Sequence, residues 1–311
     1  MNSKWSTRGL VVCGVLLSGL WSGQAQAASG SFQQTIQLDE AVLLDVSTGS
    51  GNIEIRPGDT REIEIIGRIK AGTGLFQRTQ EEAEELVRQF EANPPVHVSN
   101  GEVRVGHIKD RAFNNNVSIS YEIVVPADTK VKSHTGSGSQ TISGLAGPVE
   151  AGTGSGELKL TDIGGSVAAR SGSGAIRADG IAGAFEAHTG SGSVQLTQTA
   201  PGDVVVTTGS GSSELHGVDG ALKVRAGSGR IVVDGKQDGV WNLDTGSGSV
   251  RISLPEDAAF ELDAESASGS IVVDHPVTVQ GKISKRHLKG VVRGGGDVLR
   301  IETGSGSIKV N

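Results

Sequence analysis

The stretch VEAGTGSGELKL, residues 149–160, decides the fold. Val149 and Ala151 alternate with the acidic Glu150 before the glycines, and Leu158 and Leu160 alternate with Lys159 after them. Alternation with period two marks a strand with one buried face. The Thr153-Gly154-Ser155-Gly156 centre then joins two short strands through a corner. Glycine serves such a corner where the chain needs a positive φ or where two backbones approach closely.

The same unit recurs with its first glycine at Gly136, Gly154, Gly172, Gly190, Gly209, Gly227, Gly246 and Gly304, and in the degenerate form SASG around Ala267. The steps from Gly136 to Gly246 are 18, 18, 18, 19, 18 and 19 residues. Five positions before the glycine stand Val131, Val149, Val167, Phe185, Val204, Leu222, Trp241, Leu262 and Leu299. After it come Leu158, Ile176, Val194, Ile231, Val250, Ile271 and Ile308, and a second bend is marked by Gly147, Gly165, Gly183 or Gly220. One such coil cannot bury its few apolar side chains. Stacked coils place like residues above one another, and each well-buried aliphatic side chain then contributes about 1.5–3 kcal/mol. The expected fold is all-β: a parallel β-solenoid, or β-helix, of about 18-residue coils. The regular array covers residues 136–311.

Residues 28–135 form a less regular N-terminal part of the solenoid. DVSTGSGNIEI around Gly49 is an early copy of the coil, separated by 87 residues from Gly136. Strand-like runs cover Ile63 to Ile69, Val96 to Val105 and Val117 to Val125. One helix is expected at about 80–92: Thr79 with Glu82 makes a capping box, Ala83, Leu86, Val87 and Phe90 form an apolar stripe, and Asn93-Pro94-Pro95 ends it. It reads as an element that docks on the solenoid and covers an open end or edge. Residues 275–298 break the repeat, and the interval from Ala267 to Gly304 equals about two coils, so one coil is expected to have lost its TGSG.

Lys4 and Arg8, the apolar run from Leu10 to Leu20 and the Ala25-Gln26-Ala27 pattern read as a signal peptide over residues 1–27, cleaved after Ala27. Export to the periplasm, cell envelope or medium follows from that reading. Cleavage removes Cys13, the single cysteine, and shifts the formal charge from −7 to −9. The mature chain then has no disulfide or thiolate chemistry, no segment long enough to span a membrane as a helix, and a charge that disfavours nucleic acid.

Catalytic, cofactor and metal motifs are not expected. No TGSG copy completes a dinucleotide fingerprint or a P-loop, and no GxSxG elbow occurs. His134 and His188 share a position three coils apart, about 14 Å at ordinary strand spacing, too far for one metal ion. Asp162 and Asp179 are the nearest to an outward acid pair for a polysaccharide-acting enzyme, but both lie beside bend glycines. Lys282, Lys285, Arg286, Lys289 and Arg293, with His287, make residues 282–293 basic. They are a candidate contact for an anionic polymer such as an envelope glycan, or a solvated loop. The final strand, running to Asn311 without a cap, is a candidate edge for self-assembly.

The 18-residue TGSG beat, the early lone copy, the helical insertion, the strand ending Val124-Val125-Pro126 and the closing TGSGSIKV together resemble the bacterial putative adhesin family, a domain of unknown function. The resemblance covers nearly all of the mature chain. It implies a right-handed β-solenoid in an exported or envelope-associated protein, and it brings no catalytic residues. The signal peptide, the repeat and the missing catalytic constellation point to a non-enzymatic scaffold, with adhesion or envelope binding as the expected role and an envelope component, a glycan or another protein as the expected partner.

Overall fold

The computed structural model describes residues 27–38, 42–59, 61–72, 79–108, 117–279, 284 and 286–311. The expected signal peptide, Lys282 and Lys285 therefore lie outside the described residues, Ala27 excepted. The array is a parallel β-solenoid. Each coil places its strand before the TGSG corner in one row, here face A, and its strand after the corner in a second row, face B.

Register within each row is set residue on residue. On face A, Val131, Val149, Val167, Phe185, Val204, Leu222 and Trp241 are successive partners. All seven are buried. On face B, Leu158, Ile176 and Val194 stack in the same way, followed by Ser213, Ile231 and Val250. A one-residue slip would turn every apolar side chain outward, so the period-two pattern locks the register. Trp241 fits the inward column because its indole Nε1 donates to Gly220 O at 2.9 Å, which satisfies its one polar atom.

The corner works by close approach. A Cβ at Gly156 would overlap Gly138 O of the preceding coil, as one at Gly138 would overlap Gly51 O, yet neither glycine has a left-handed φ. The threonine of TGSG has a second role. Thr153 Oγ1 accepts from Gly156 N at 3.0 Å and donates to Gly138 O at 3.0 Å, tying its own corner to the one before. Thr135, Thr189 and Thr208 repeat both bonds. At these four corners the threonine hydroxyl and the two backbone groups it meets are thereby paired, which matters because leaving a buried group unpaired costs about 1–3 kcal/mol.

At the N-terminal end the early coil, Leu43–Thr48 and Ile53–Gly58, stacks directly on Lys130–Thr135 and Gln140–Ser143. The 71 residues between, 59–129, form in their described part an excursion that folds back over it. Glu102–Val105 and Val117–Pro126 add a further layer outside the early coil, so chain order and stacking order differ. Glu62–Ala71 and Ala28–Gln37 then continue face B as antiparallel strands. The run Val96 to Val105 is two strands, Val96–Ser99 and Glu102–Val105, turned by Asn100 and Gly101, both at positive φ. An Asn-Gly pair is the usual signature of such a two-residue hairpin. The helix spans Gln80–Ala92 with the expected capping box, and it buries Ala83, Leu86, Val87 and Phe90 against Ala28–Gln37 and Glu62–Ala71.

The C-terminal end corrects two expectations. Residues 275–298 do not hold a coil that lost its TGSG. His287–Val292 instead runs antiparallel to Phe260–Ser268 and pairs with the short Val277–Thr278. The final coil, Val298–Ser305 and Ile308–Val310, does not end the stack. It lies between the coil of Trp241 and Val250 and the coil of Leu262 and Ile271, with Leu299 partnering both Trp241 and Leu262, and Ile308 both Val250 and Ile271. The last strand is an interior strand rather than an open edge.

Candidate functional site

On face A the residues between the inward columns form two outward files. One carries Asp45, Lys132, Glu150, Ala168 and Glu186; the other carries Ser47, His134, Gly152, Arg170, His188 and Thr207. Parallel register aims each file along the solenoid axis, at steps of about 4.8 Å. The second file runs beside the glycine corners, where side chains are missing. The result is a groove of about 530 Å³ over the layers of Lys132 to Thr207, floored by Gly152, Gly172 and Gly190.

Charges in the groove are laddered between layers. Glu150 meets Arg170 at 3.2 Å and Lys132 at 3.9 Å; Glu186 meets Arg170 at 3.6 Å and His188 at 2.7 Å. These groups are about half exposed, so each pair contributes less than about 1 kcal/mol and holds side chains in place more than it stabilises. His134 has no hydrogen-bond or ion-pair partner among the described residues, and its ring lies over Gly152. His134 and His188 sit three layers apart, as their spacing required, with Gly152 and Arg170 between them.

Face B has a second, more polar groove of about 490 Å³, containing Lys159, Arg177, Asp179, Glu214 and His216. His216 is clamped between two carboxylates: Nδ1 on Asp234, and Nε2 at 3.3 Å from Glu214. The hydrogen bond to Asp234, followed by the charges of both acids, raises the imidazole above its ordinary value. Because its two nitrogens face different acids, the three residues do not converge on a shared point. Among the described residues no cluster of three or more His, Cys, Asp and Glu side chains could hold a metal ion.

Asp162 and Asp179 are both exposed but occupy different files. Asp179 stacks between Thr161 and Thr197, whereas Asp162 stands at φ 53° on the bend where other coils place Gly144, Gly180 and Gly217. The turn explains Asp162 fully.

The basic segment is divided by its strand. Lys289 stands opposite Asp263, which also receives His287 at 3.0 Å and Arg300 at 3.6 Å. Arg293 sits at φ 47° in the turn after the strand, its guanidinium 3.4 Å from His275 Nδ1. Arg286 precedes the strand and is exposed. The described members of the basic set therefore belong to a paired strand and its flanks, not to one loop.

No helix among the described residues is long and apolar enough to cross a membrane. The family model described as Toastrack DUF4097 matches residues 41–311. No curated protein matches the chain. Among solved structures, a putative adhesin from Bacteroides fragilis is similar at 11% identity, with 92% of this chain and 99% of that one covered and a TM-score of 0.44. A putative lipid binding protein from Parabacteroides distasonis is similar at 16% identity, covering 90% and 96%, with a TM-score of 0.42. A putative cell adhesion protein from Clostridium sporogenes is similar at 13% identity, covering 91% and 99%, with a TM-score of 0.25.

Proposed function

We propose that this chain, which belongs to the Toastrack DUF4097 family, is an exported, non-enzymatic scaffold that binds a component of the cell envelope. The observation that carries the reading is the axial groove on face A. Its side chains repeat at the strand spacing and are held in place by interlayer ion pairs, so it offers an extended, pre-ordered surface. A fixed surface binds without first ordering its side chains, which reduces the cost of association. The N-terminal sequence supports export.

Two measurements test the reading. Fractionation of a tagged chain is expected to place it in the periplasm, envelope or medium; recovery in the cytoplasm contradicts export. Purified chain is expected to sediment saturably with at least one isolated envelope fraction, and failure with all of them contradicts the scaffold.

A further inference from the structure

Gly152 is a glycine that the fold does not require. The corner glycines are forced, since a Cβ at Gly154 or Gly156 would overlap the carbonyl oxygen of the corner before it. Gly152 lies within the strand Val149–Thr153 on its outward side, with no left-handed φ. A Cβ there would first meet His134 Nδ1 at 3.0 Å, the end of an exposed and movable side chain, and the nearest backbone atom is Ser133 O at 3.9 Å. Glycine inside a strand weakens it, and close approach of a ligand to the backbone is one of the reasons for which such a glycine is kept. What Gly152 does supply is the gap between His134 and Arg170 that opens the groove.

We propose that this gap is the centre of a binding site for a linear, carboxylate-bearing glycan lying along the solenoid axis. The assignment rests on the scaffold reading above. From Ser47 to Arg225 the file containing Gly152 holds His134, Arg170, His188 and Arg225 and no acid. His134 is unpartnered among the described residues. Arg170 engages Glu150 and Glu186 through its two terminal nitrogens, and a guanidinium has five N–H donors. Donors recurring at the layer spacing suit a polymer with recurring anionic groups. The groove crosses the strands, so a peptide cannot add to it as an extra strand. A polynucleotide is disfavoured by a lining that carries no Phe, Tyr or Trp ring on which its bases could stack.

The test is titration calorimetry of the full chain with oligogalacturonate, and with neutral dextran of equal length, at low and high salt. Oligogalacturonate is expected to bind, more weakly as salt rises, and dextran not to bind. Gly152→Val fills the gap, and it is expected to lower affinity at least tenfold while keeping or raising the melting temperature. Arg170→Gln is expected to weaken binding severalfold, and it carries the test alone if Gly152→Val melts lower. Wild-type affinity in both variants, equal binding of dextran, or no binding of oligogalacturonate overturns the site. Saturable sedimentation with envelope would survive each of these results, so the two readings fail separately.

Discussion

The hydroxyl of Thr153 can be removed almost without changing shape, and the array contains its own control for doing so. Thr153→Val deletes one acceptor and one donor, leaving Gly156 N–H and Gly138 O without the partners they have at 3.0 Å. A stranded buried group costs about 1–3 kcal/mol; Gly138 is buried and Gly156 half-buried, so the pair should cost about 2–3 kcal/mol in total. One layer along the stack, Ser171 pairs in register with Thr153 and is also buried, yet its Oγ has no hydrogen-bond partner. Ser171→Ala is therefore expected to be neutral or slightly stabilising. Urea unfolding of the two variants beside the wild type, compared at equal m-value, reads the difference. Equal losses, or a Thr153→Val loss under about 0.5 kcal/mol, would refute the claim that the threonine bonds the corners together.

Three further outcomes follow from the same geometry. Gly156→Val puts a branched side chain into Gly138 O and should prevent soluble folding or lower the melting temperature by many degrees in a thermal melt, whereas Gly152→Val should not. Ile301, fully buried between two layers, should cost about 2–5 kcal/mol on replacement by Ala, and the amides of Val298–Ser305 should exchange slowly with deuterium although they lie near the C-terminus. His216, raised by Asp234 and then Glu214, contributes stability that is fully present below the unfolded value of about 6.5 and is lost as pH rises through its folded value. Its side chain is a little under half exposed, so solvent screening should keep the effect under about 1 kcal/mol, and His216→Gln should flatten that part of the pH–stability curve measured by urea unfolding.

Much of this architecture is legible in the residues, because a solenoid coil repeats its physics. Val149, Val167, Phe185 and Val204 announce a column since each occupies the same place in an 18- or 19-residue period, and the capping box at Thr79 and Glu82 is a local signal that needs no tertiary context. The threonine bond is only half legible: Thr or Ser precedes the first glycine in most copies, but glycine alone already accounts for a corner. Chain order at the two ends was not legible. Nothing in Leu299 or Ile308 says which layers flank them, since any coil of this repeat fits beside any other. The antiparallel strand His287–Val292 was hidden because its alternation is short and charged, and the hairpin at Asn100-Gly101 because the valines on either side read as one run. The groove depends on Gly152, which a sequence full of necessary glycines conceals.

The most direct test of a register-locked stack with an out-of-order final coil is cysteine cross-linking. In a Cys13→Ser background, Asn242 and Arg300 are outward partners in adjacent layers, about 4.8 Å apart, while Asp263 lies one layer beyond Arg300, about 10 Å from Asn242. A disulfide needs Cα atoms within about 4.4–6.8 Å. Mild oxidation is expected to close Asn242→Cys with Arg300→Cys quantitatively and to leave Asn242→Cys with Asp263→Cys as free thiols. Closure of the second pair and not the first would mean that the coils stack in chain order, and the account would be wrong.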